Sequence, residues 1–233
     1  MEYKKFTGRS NIKLYNKDCM LDLVNMKDNE YDLAIVDPPY GIGEGNKKNK
    51  TRSSYTGFGS NKKWVNAKDY GGGEFDNSIP DESYFIELFR VSKNQIIWGG
   101  NYMVKYIPPS MGWIVWDKDN GDCDQSDCEL AFSSFKKGLR KFRFRWHGLL
   151  QENMKNKEDR IHPTQKPVQL YKWLLTNYAK EGDRILDTHF GSLSIGIACW
   201  DLNFDLTAYE IDEDYFNNAV KRLDNHTRQK QLF

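Results

Sequence analysis

The chain has no apolar run approaching the ~20 residues that cross a bilayer, so its sequence predicts no membrane span. Its opening residues, MEYKKFTGRSN, lack the apolar core of a secretory signal. The expectation is a cytoplasmic protein. Cysteine is scarce: Cys19, Cys123, Cys128 and Cys199. Only Cys123 and Cys128 lie close together, and no second pair or suitably spaced histidine completes a zinc site. The reading is of reduced thiols and no metal. An excess of charge of one sign is also missing. The net charge is +1, so any attraction for nucleic acid must come from local patches and not from a global basic field. There is no internal repeat and no interdomain linker, which predicts a single domain over residues 1–233. Aromatics make up 14% of the chain, enough for an aromatic-rich core with rings to spare for ligand stacking.

Against these absences stands the string Asp37-Pro38-Pro39-Tyr40, directly after the apolar run Leu33-Ala34-Ile35-Val36. A short apolar run ending in a turn signal reads as a buried strand. The tip of a core strand is where open α/β sheets place ligand sites. Two prolines fix φ and remove two backbone donors, leaving their carbonyls as acceptors. A carboxylate and a carbonyl can accept both hydrogens of one amino group, and a tyrosine ring can stack on whatever carries it. The string reads as a clamp for a planar exocyclic amine. By itself it reads equally as a rigid turn.

Further strands are predicted at 12–15, 32–36, 95–98, 113–116, 129–132, 184–186 and 206–209. Helices are expected after Asp81, from Pro167 through Tyr178, over about 194–202 and over about 213–224. Alternating strands and helices predict a doubly wound, mostly parallel α/β sheet. The polar stretch of about 41–78 is too long for an ordinary connection and reads as a mobile functional loop. Its Gly41-Ile42-Gly43-Glu44-Gly45 run resembles a phosphate loop, but no apolar helix period follows it, so a hinge fits better.

Near the C-terminus, strand 184–186 enters Asp187-Thr188-His189-Phe190-Gly191-Ser192-Leu193-Ser194, then a helix, then a strand ending in Glu210-Ile211-Asp212. This is the layout of a nucleoside-binding βαβ unit, with an acidic residue placed to accept from ribose hydroxyls. With one glycine in the turn, a pyrophosphate cradle does not fit, and a nucleoside without phosphates, such as S-adenosylmethionine, does. An ordinary packing turn gives the same pattern. His162-Pro163-Thr164-Gln165-Lys166-Pro167 precedes a helix and suits an anion such as an amino-acid carboxylate, or simply caps that helix. Lys141-Phe142-Arg143-Phe144-Arg145-Trp146 alternates basic and aromatic residues, so its three cations share one face of a strand. That face is either a phosphate stripe or a charged edge that resists aggregation.

Together these motifs resemble the β-group of DNA amino-methyltransferases, the adenine-N6 and cytosine-N4 enzymes. The order is theirs: DPPYG at 37–41, HPTQKP at 162–167, DTHFGSLS at 187–194 and AYEID at 208–212, over nearly the whole chain. The resemblance implies a Rossmann-like fold with circularly permuted motif order and S-adenosylmethionine as cofactor. It also implies double-stranded DNA as partner, base flipping, and a homodimer as a compatible assembly. An Asp at the head of the clamp leans toward adenine, and the plain motif set toward a phage or orphan enzyme. It assigns catalysis to Asp37, Pro38, Pro39 and Tyr40. Asp18, Cys19, Asp37, His162, Asp187, Phe190, Gly191, Ser192, Glu210 and Ile211 fall to the cofactor pocket, with Thr164 and Lys166 toward the methionyl carboxylate. DNA contacts are expected from Lys47, Lys48, Arg52, Lys62, Lys63, Arg140, Lys141, Arg143 and Arg145. The latter part belongs to a small recognition insertion of about 136–160, and the acidic stretch 117–129 is expected to face away from the duplex. Leu193 stands where the family carries a second glycine. Cytosine-N4 methylation, RNA adenine methylation and a catalytically silent nucleic-acid-binding protein are the alternatives.

Overall fold

Branched and aromatic runs form the strands, and the polar and glycine-containing segments between them turn the chain. The computed structural model describes residues 2–43, 54–56, 63–65, 76–120, 126–147 and 150–228. In chain order the strands are β1 (Glu2–Phe6), β2 (Ile12–Asn16), β3 (Tyr31–Val36), β4 (Ser54–Thr56), β5 (Lys63–Val65), β6 (Ser92–Trp98) and β7 (Ile114–Asp117). They continue with β8 (Cys128–Ser133), β9 (Arg140–Arg143), β10 (Trp146–His147), β11 (Leu150–Gln151), β12 (Arg184–Asp187) and β13 (Asp205–Glu210). The helices are α1 (Met20–Leu23), α2 (Glu82–Val91), α3 (Val168–Tyr178), α4 (Ser194–Leu202) and α5 (Glu213–Arg228).

The chain divides into two compact units, residues 1–38 with 80–233, and residues 39–79. The larger carries a nine-stranded sheet in the order β1-β2-β13-β12-β3-β6-β8-β7-β9. Its centre, β2-β13-β12-β3-β6, is parallel throughout. β1 pairs antiparallel with β2 at one edge, β8 runs antiparallel to both β6 and β7, and β9 closes the other edge parallel to β7. This is the mostly parallel α/β sheet that the alternation predicts. In the smaller unit, β4 and β5 pair antiparallel.

The strand order reverses between β12 and β3. From β3 the chain moves through α2 to β6 on one side, and from β12 through α4 to β13 on the other. Right-handed crossovers in opposite directions put α2 and α4 on opposite faces. The carboxyl ends of β12 and β3 therefore lie at a topological switch point, the place where such sheets bind ligands.

Packing follows the sequence pattern. Asp81 caps α2, its side chain accepting from the Tyr84 N–H, and α2 buries Phe85 and Leu88. α3 buries Leu170, Tyr171, Leu174 and Tyr178 on one face. α4 is apolar almost all round, with Ser194 through Cys199 buried, because it lies between α3 and α5 with the sheet beneath. Trp98, Trp116, Phe85, Phe132, Tyr209 and Phe216 are the largest fully buried side chains, giving the aromatic core that composition implied.

Candidate active site

β3 is buried along most of its length and delivers Asp37 and Pro38 at its carboxyl end. The Asp37 carboxylate does not stand alone. The Lys166 ammonium lies 2.5 Å from its Oδ2 and 3.2 Å from the Glu129 carboxylate on β8. Lys118, just past β7, grips the same Glu129 at 2.7 Å. The result is a row of alternating charge, Asp37–Lys166–Glu129–Lys118, walled by two indoles. Lys166 Nζ is 5.4 Å from the Trp98 ring and Lys118 Nζ is 5.4 Å from the Trp116 ring. The Lys166 side chain is only 2% exposed. Burial works against its charge, but Asp37 and Glu129 hold its pKa above the ordinary lysine value. Burial alone would raise the Glu129 carboxyl, yet Lys166 and Lys118 bring it down to about 2. Both groups are charged at neutral pH.

Sequence reasoning placed Lys166 against a ligand carboxylate. Its ammonium is instead held by two carboxylates of the protein, one of them the Asp of the clamp. Thr164 likewise turns back on its own loop, with Oγ1 3.1 Å from His162 Nδ1. The His162 ring is buried against Tyr215, with ring centroids 4.2 Å apart. Burial, then Lys166, drives its pKa down to about 3, so it is neutral. Gln165 is structural: it receives the Ile161 N–H and donates to the Asp159 carbonyl.

The loop after β12 lies beside this row. Asp187 is buried, accepts the His189 N–H at 3.0 Å, and is pushed well above the carboxylate range by burial, with Asp37 and Glu210 adding to the effect. Thr188 Oγ1 is 2.7 Å from the Tyr84 hydroxyl and ties the loop to α2. The Phe190 N–H donates to the Tyr209 carbonyl, and its ring is buried beside Phe216. Gly191 takes a left-handed φ of 51° and donates its N–H to Glu210 Oε2 at 2.9 Å, while Asp212 N–H donates to Oε1 at 2.9 Å. Glu210, at the carboxyl end of β13, thus draws the glycine turn to the neighbouring strand end. Burial raises its pKa to about 7, against the pull of those two N–H groups. Ile211 beside it is 66% exposed.

Leu193 also adopts a left-handed backbone, φ 59° and ψ 31°, although only 1% exposed. Its side chain fits because Gly196 is one helical turn on: a Cβ there would sit 2.7 Å from Leu193 Cγ. Arg222 of α5, which sequence reasoning missed, clamps the loop. It donates to the Ser192 carbonyl at 2.8 Å, to Ser194 Oγ at 3.0 Å and to Glu158 at 2.8 Å. Ser194 Oγ in turn donates to the Lys166 carbonyl at 2.7 Å. Glu129, Lys118 and Arg222 carry no motif signal. Their partners lie elsewhere in the chain: Glu129 is 11 residues from Lys118 and 37 from Lys166, and Arg222 is 28 to 64 residues from Ser194, Ser192 and Glu158. On the far strand end, Asp18 Oδ1 accepts the Met20 N–H at 2.9 Å. Cys19 is buried, its thiol pushed up to about 12 by burial and by Asp18, and Cys199 is buried too. Neither is poised as a nucleophile.

In the smaller unit, the Tyr40 and Gly41 N–H groups both donate to Asp76 Oδ1, at 2.6 and 2.9 Å, and Gly43 N–H donates to the Asp76 carbonyl. Asp76, also missed from sequence, shapes the backbone that follows the second proline. Of the expected DNA contacts, Lys47, Lys48, Arg52 and Lys62 lie outside the described residues, and Lys63 falls on β5. The basic stripe is present and alternates as expected: Phe142 packs on Trp173 and Phe144, while the cations take the other side. They meet acids there. Lys141 pairs with Asp117 at 3.3 Å, and Arg143 and Arg145 both pair with Asp119 at 2.6 Å. Asp117 and Asp119, from the acidic stretch expected to face away from the duplex, thus lie on the same side as the basic stripe. The left-handed φ of 47° at Asp119 turns the chain there, and Asp117 Oδ1 receives the Asp119 N–H. Among the described residues no cluster of His, Cys, Asp and Glu could hold a metal.

A family model described as DNA methylase matches residues 97–221. The Type II methyltransferase M.HpaI of Haemophilus parainfluenzae is 26% identical over 242 residues, 87% of this chain and 71% of that protein. Among solved structures, the M1.HpyAVI–SAM complex superposes with a TM-score of 0.57 at 18% identity, covering 91% of this chain and 99% of that one. The PvuII DNA methyltransferase, described as cytosine-N4-specific, gives 0.56 at 11% identity, covering 94% and 90%. These two likenesses establish the fold.

Proposed function

This chain belongs to the DNA methylase family, and from that membership we propose that it methylates the exocyclic N6 amine of adenine in double-stranded DNA, with S-adenosylmethionine as donor. The observation that carries the reading is the placement of Asp37 at the end of β3, one strand from the Asp187–Gly191 loop that follows β12. An amine acceptor and the loop read as nucleoside-binding thus lie at the same switch point. The choice of adenine over cytosine rests on Asp at the head of the clamp.

The donor set suits a nucleoside. Glu210 offers a carboxyl beside a glycine turn, Phe190 an apolar wall, and Asp18 a second carboxyl at the end of β2. When bound, S-adenosylmethionine supplies an electrophilic methyl group on a sulfonium. The chain's own residues do the rest. The N6 amine is a poor nucleophile because its lone pair is delocalised into the ring. Hydrogen bonds from it to Asp37 and to the Pro38 carbonyl favour a pyramidal nitrogen and fix the direction of that lone pair. Tyr40 is the stacking ring for a base taken out of the duplex. No covalent enzyme intermediate is required, in keeping with two buried, poorly acidic thiols. Half-exposed Lys141, Arg143 and Arg145, with Arg140 beside them, form the proposed backbone-contacting edge.

The test is nucleoside analysis by mass spectrometry of DNA incubated with the purified protein and S-adenosylmethionine, with RNA in parallel. N6-methyladenine from DNA is expected. N4-methylcytosine would overturn the choice of base, methylated RNA alone the choice of polymer, and no modified nucleoside the whole reading.

A further inference from the structure

The charge row raises a difficulty for the proposed reaction, and its far end offers the solution. Asp37 must accept a hydrogen bond from a neutral amine, yet its Oδ2 already receives a buried ammonium at 2.5 Å. A charge-assisted bond is about twice as strong as one from a neutral donor, so an arriving amine does not displace Lys166 on its own merit. Nor can the ammonium simply leave: at 2% exposure it has little access to water, and stranding a buried charge costs several kcal/mol. What the site provides is a second carboxylate, Glu129, 3.2 Å from the same ammonium. Lys118 anchors Glu129 at 2.7 Å from its other side, so Glu129 stays in place while the ammonium moves.

We propose that Glu129 is a positioning residue for methyl transfer: it takes over the Lys166 ammonium when the target amine occupies Asp37. This rests on the methyltransferase reading above. The exchange needs only a small displacement of Nζ between two carboxylates it already touches, and the total charge of the row does not change. The Trp98 ring beside Nζ keeps the path apolar on one side and favours a cation there. Glu129 touches neither base nor cofactor in this scheme. Its effect is on turnover, because it acts when the amine is aligned, and not on cofactor affinity.

The experiment measures kcat, KM for DNA, cofactor Kd by calorimetry and Tm for Glu129→Gln, Glu129→Asp and the double variant Glu129→Gln/Lys118→Met. Glu129→Gln keeps shape and removes charge, and its kcat is expected to fall about tenfold with cofactor Kd within twofold of wild type. Glu129→Asp keeps the charge and recovers most of the rate. The double variant restores local charge balance if Glu129→Gln alone folds poorly, and it is expected to stay slow. Wild-type kcat in the double variant would show that Glu129 merely neutralises Lys118, and would overturn the proposal. So would an unimpaired Glu129→Gln, or a loss of rate matched by an equal loss of cofactor affinity. A wild-type protein inert on DNA and RNA would overturn the methyltransferase reading along with it.

Discussion

At the scale of single residues, Asp37 and Glu210 are two carboxyls with different duties and different surroundings. Asp37 is held in an ion pair and is proposed to meet the substrate amine. Removing a positioned polar partner of the reacting group typically costs two to three orders of magnitude in rate. Asp37→Ala should therefore lower methyl transfer at least 100-fold while leaving DNA affinity, read by gel shift, within a few-fold of wild type. Turnover near the wild-type rate would contradict the clamp. Glu210 is raised to about 7, chiefly by burial. If its ionised form accepts from ribose hydroxyls, cofactor affinity must rise as pH rises through that value. With one proton lost on binding, the change between pH 6 and pH 8 amounts to about tenfold. The same shift acts on stability with opposite sign. A carboxyl whose pKa is higher folded than unfolded contributes stability that is full below the unfolded value of 4.5 and lost as pH climbs through about 7. Calorimetric titrations across pH 6–8 should show tighter binding at the alkaline end, and Glu210→Gln should flatten the slope. A pH-independent Kd for the wild type would remove Glu210 from the ribose site.

At the scale of elements, the turn from β12 into α4 shows how a chain keeps a conformation without its usual glycine. A left-handed backbone costs an ordinary residue about 1–2 kcal/mol, and Leu193 bears that cost at φ 59°. Its buried side chain and the clamp from Arg222 offset it. Gly196 is the spatial complement: its missing Cβ is the room that Leu193 fills. Gly196→Ala should lower stability, the overpacking of about 1–3 kcal/mol outweighing the gain in helix propensity. In a Leu193→Gly background the obstacle is gone, and the same change should be neutral or stabilising. A double-mutant cycle read by denaturant melts should return a coupling of about 1 kcal/mol or more, and additive effects would disprove the pairing. This turn also marks what the sequence makes legible. The core strands, α4 and the capping of α2 were readable because their signals are local: apolar runs, caps and glycine turns. β1 was not, because Tyr3-Lys4-Lys5 at a sheet edge has no alternation to betray it. Nor was the β10–β11 hairpin, two residues a strand. Within the site, motif residues were legible by type, but their partners were not. Lys166 meets Asp37 across 129 positions of sequence, and nothing local in either motif announces the pair.

At the scale of the whole molecule, a net charge of +1 leaves DNA affinity to patches, and the one proposed on and just past β9 is partly cancelled by its own neighbours. Lys141, Arg143 and Arg145 are 61%, 64% and 47% exposed, and each is paired with Asp117 or Asp119. Exposed pairs of this kind contribute at most about 1 kcal/mol, so a phosphate can displace the aspartate cheaply. If this edge meets the DNA backbone, as proposed, the acids hold three long side chains on it while weakening adhesion to any random duplex. On this view Asp119 limits nonspecific binding. Asp119→Asn should release both arginines and tighten the affinity for random-sequence DNA several-fold at low salt, with a steeper dependence of log K on log salt. Arg143→Gln with Arg145→Gln should do the reverse, making the slope shallower by about 1.8 for two lost phosphate contacts. Fluorescence anisotropy across a salt series separates the outcomes. If neither variant moves the slope, this edge does not meet the backbone, and the lysines of the 39–79 unit become the principal candidates for holding the duplex.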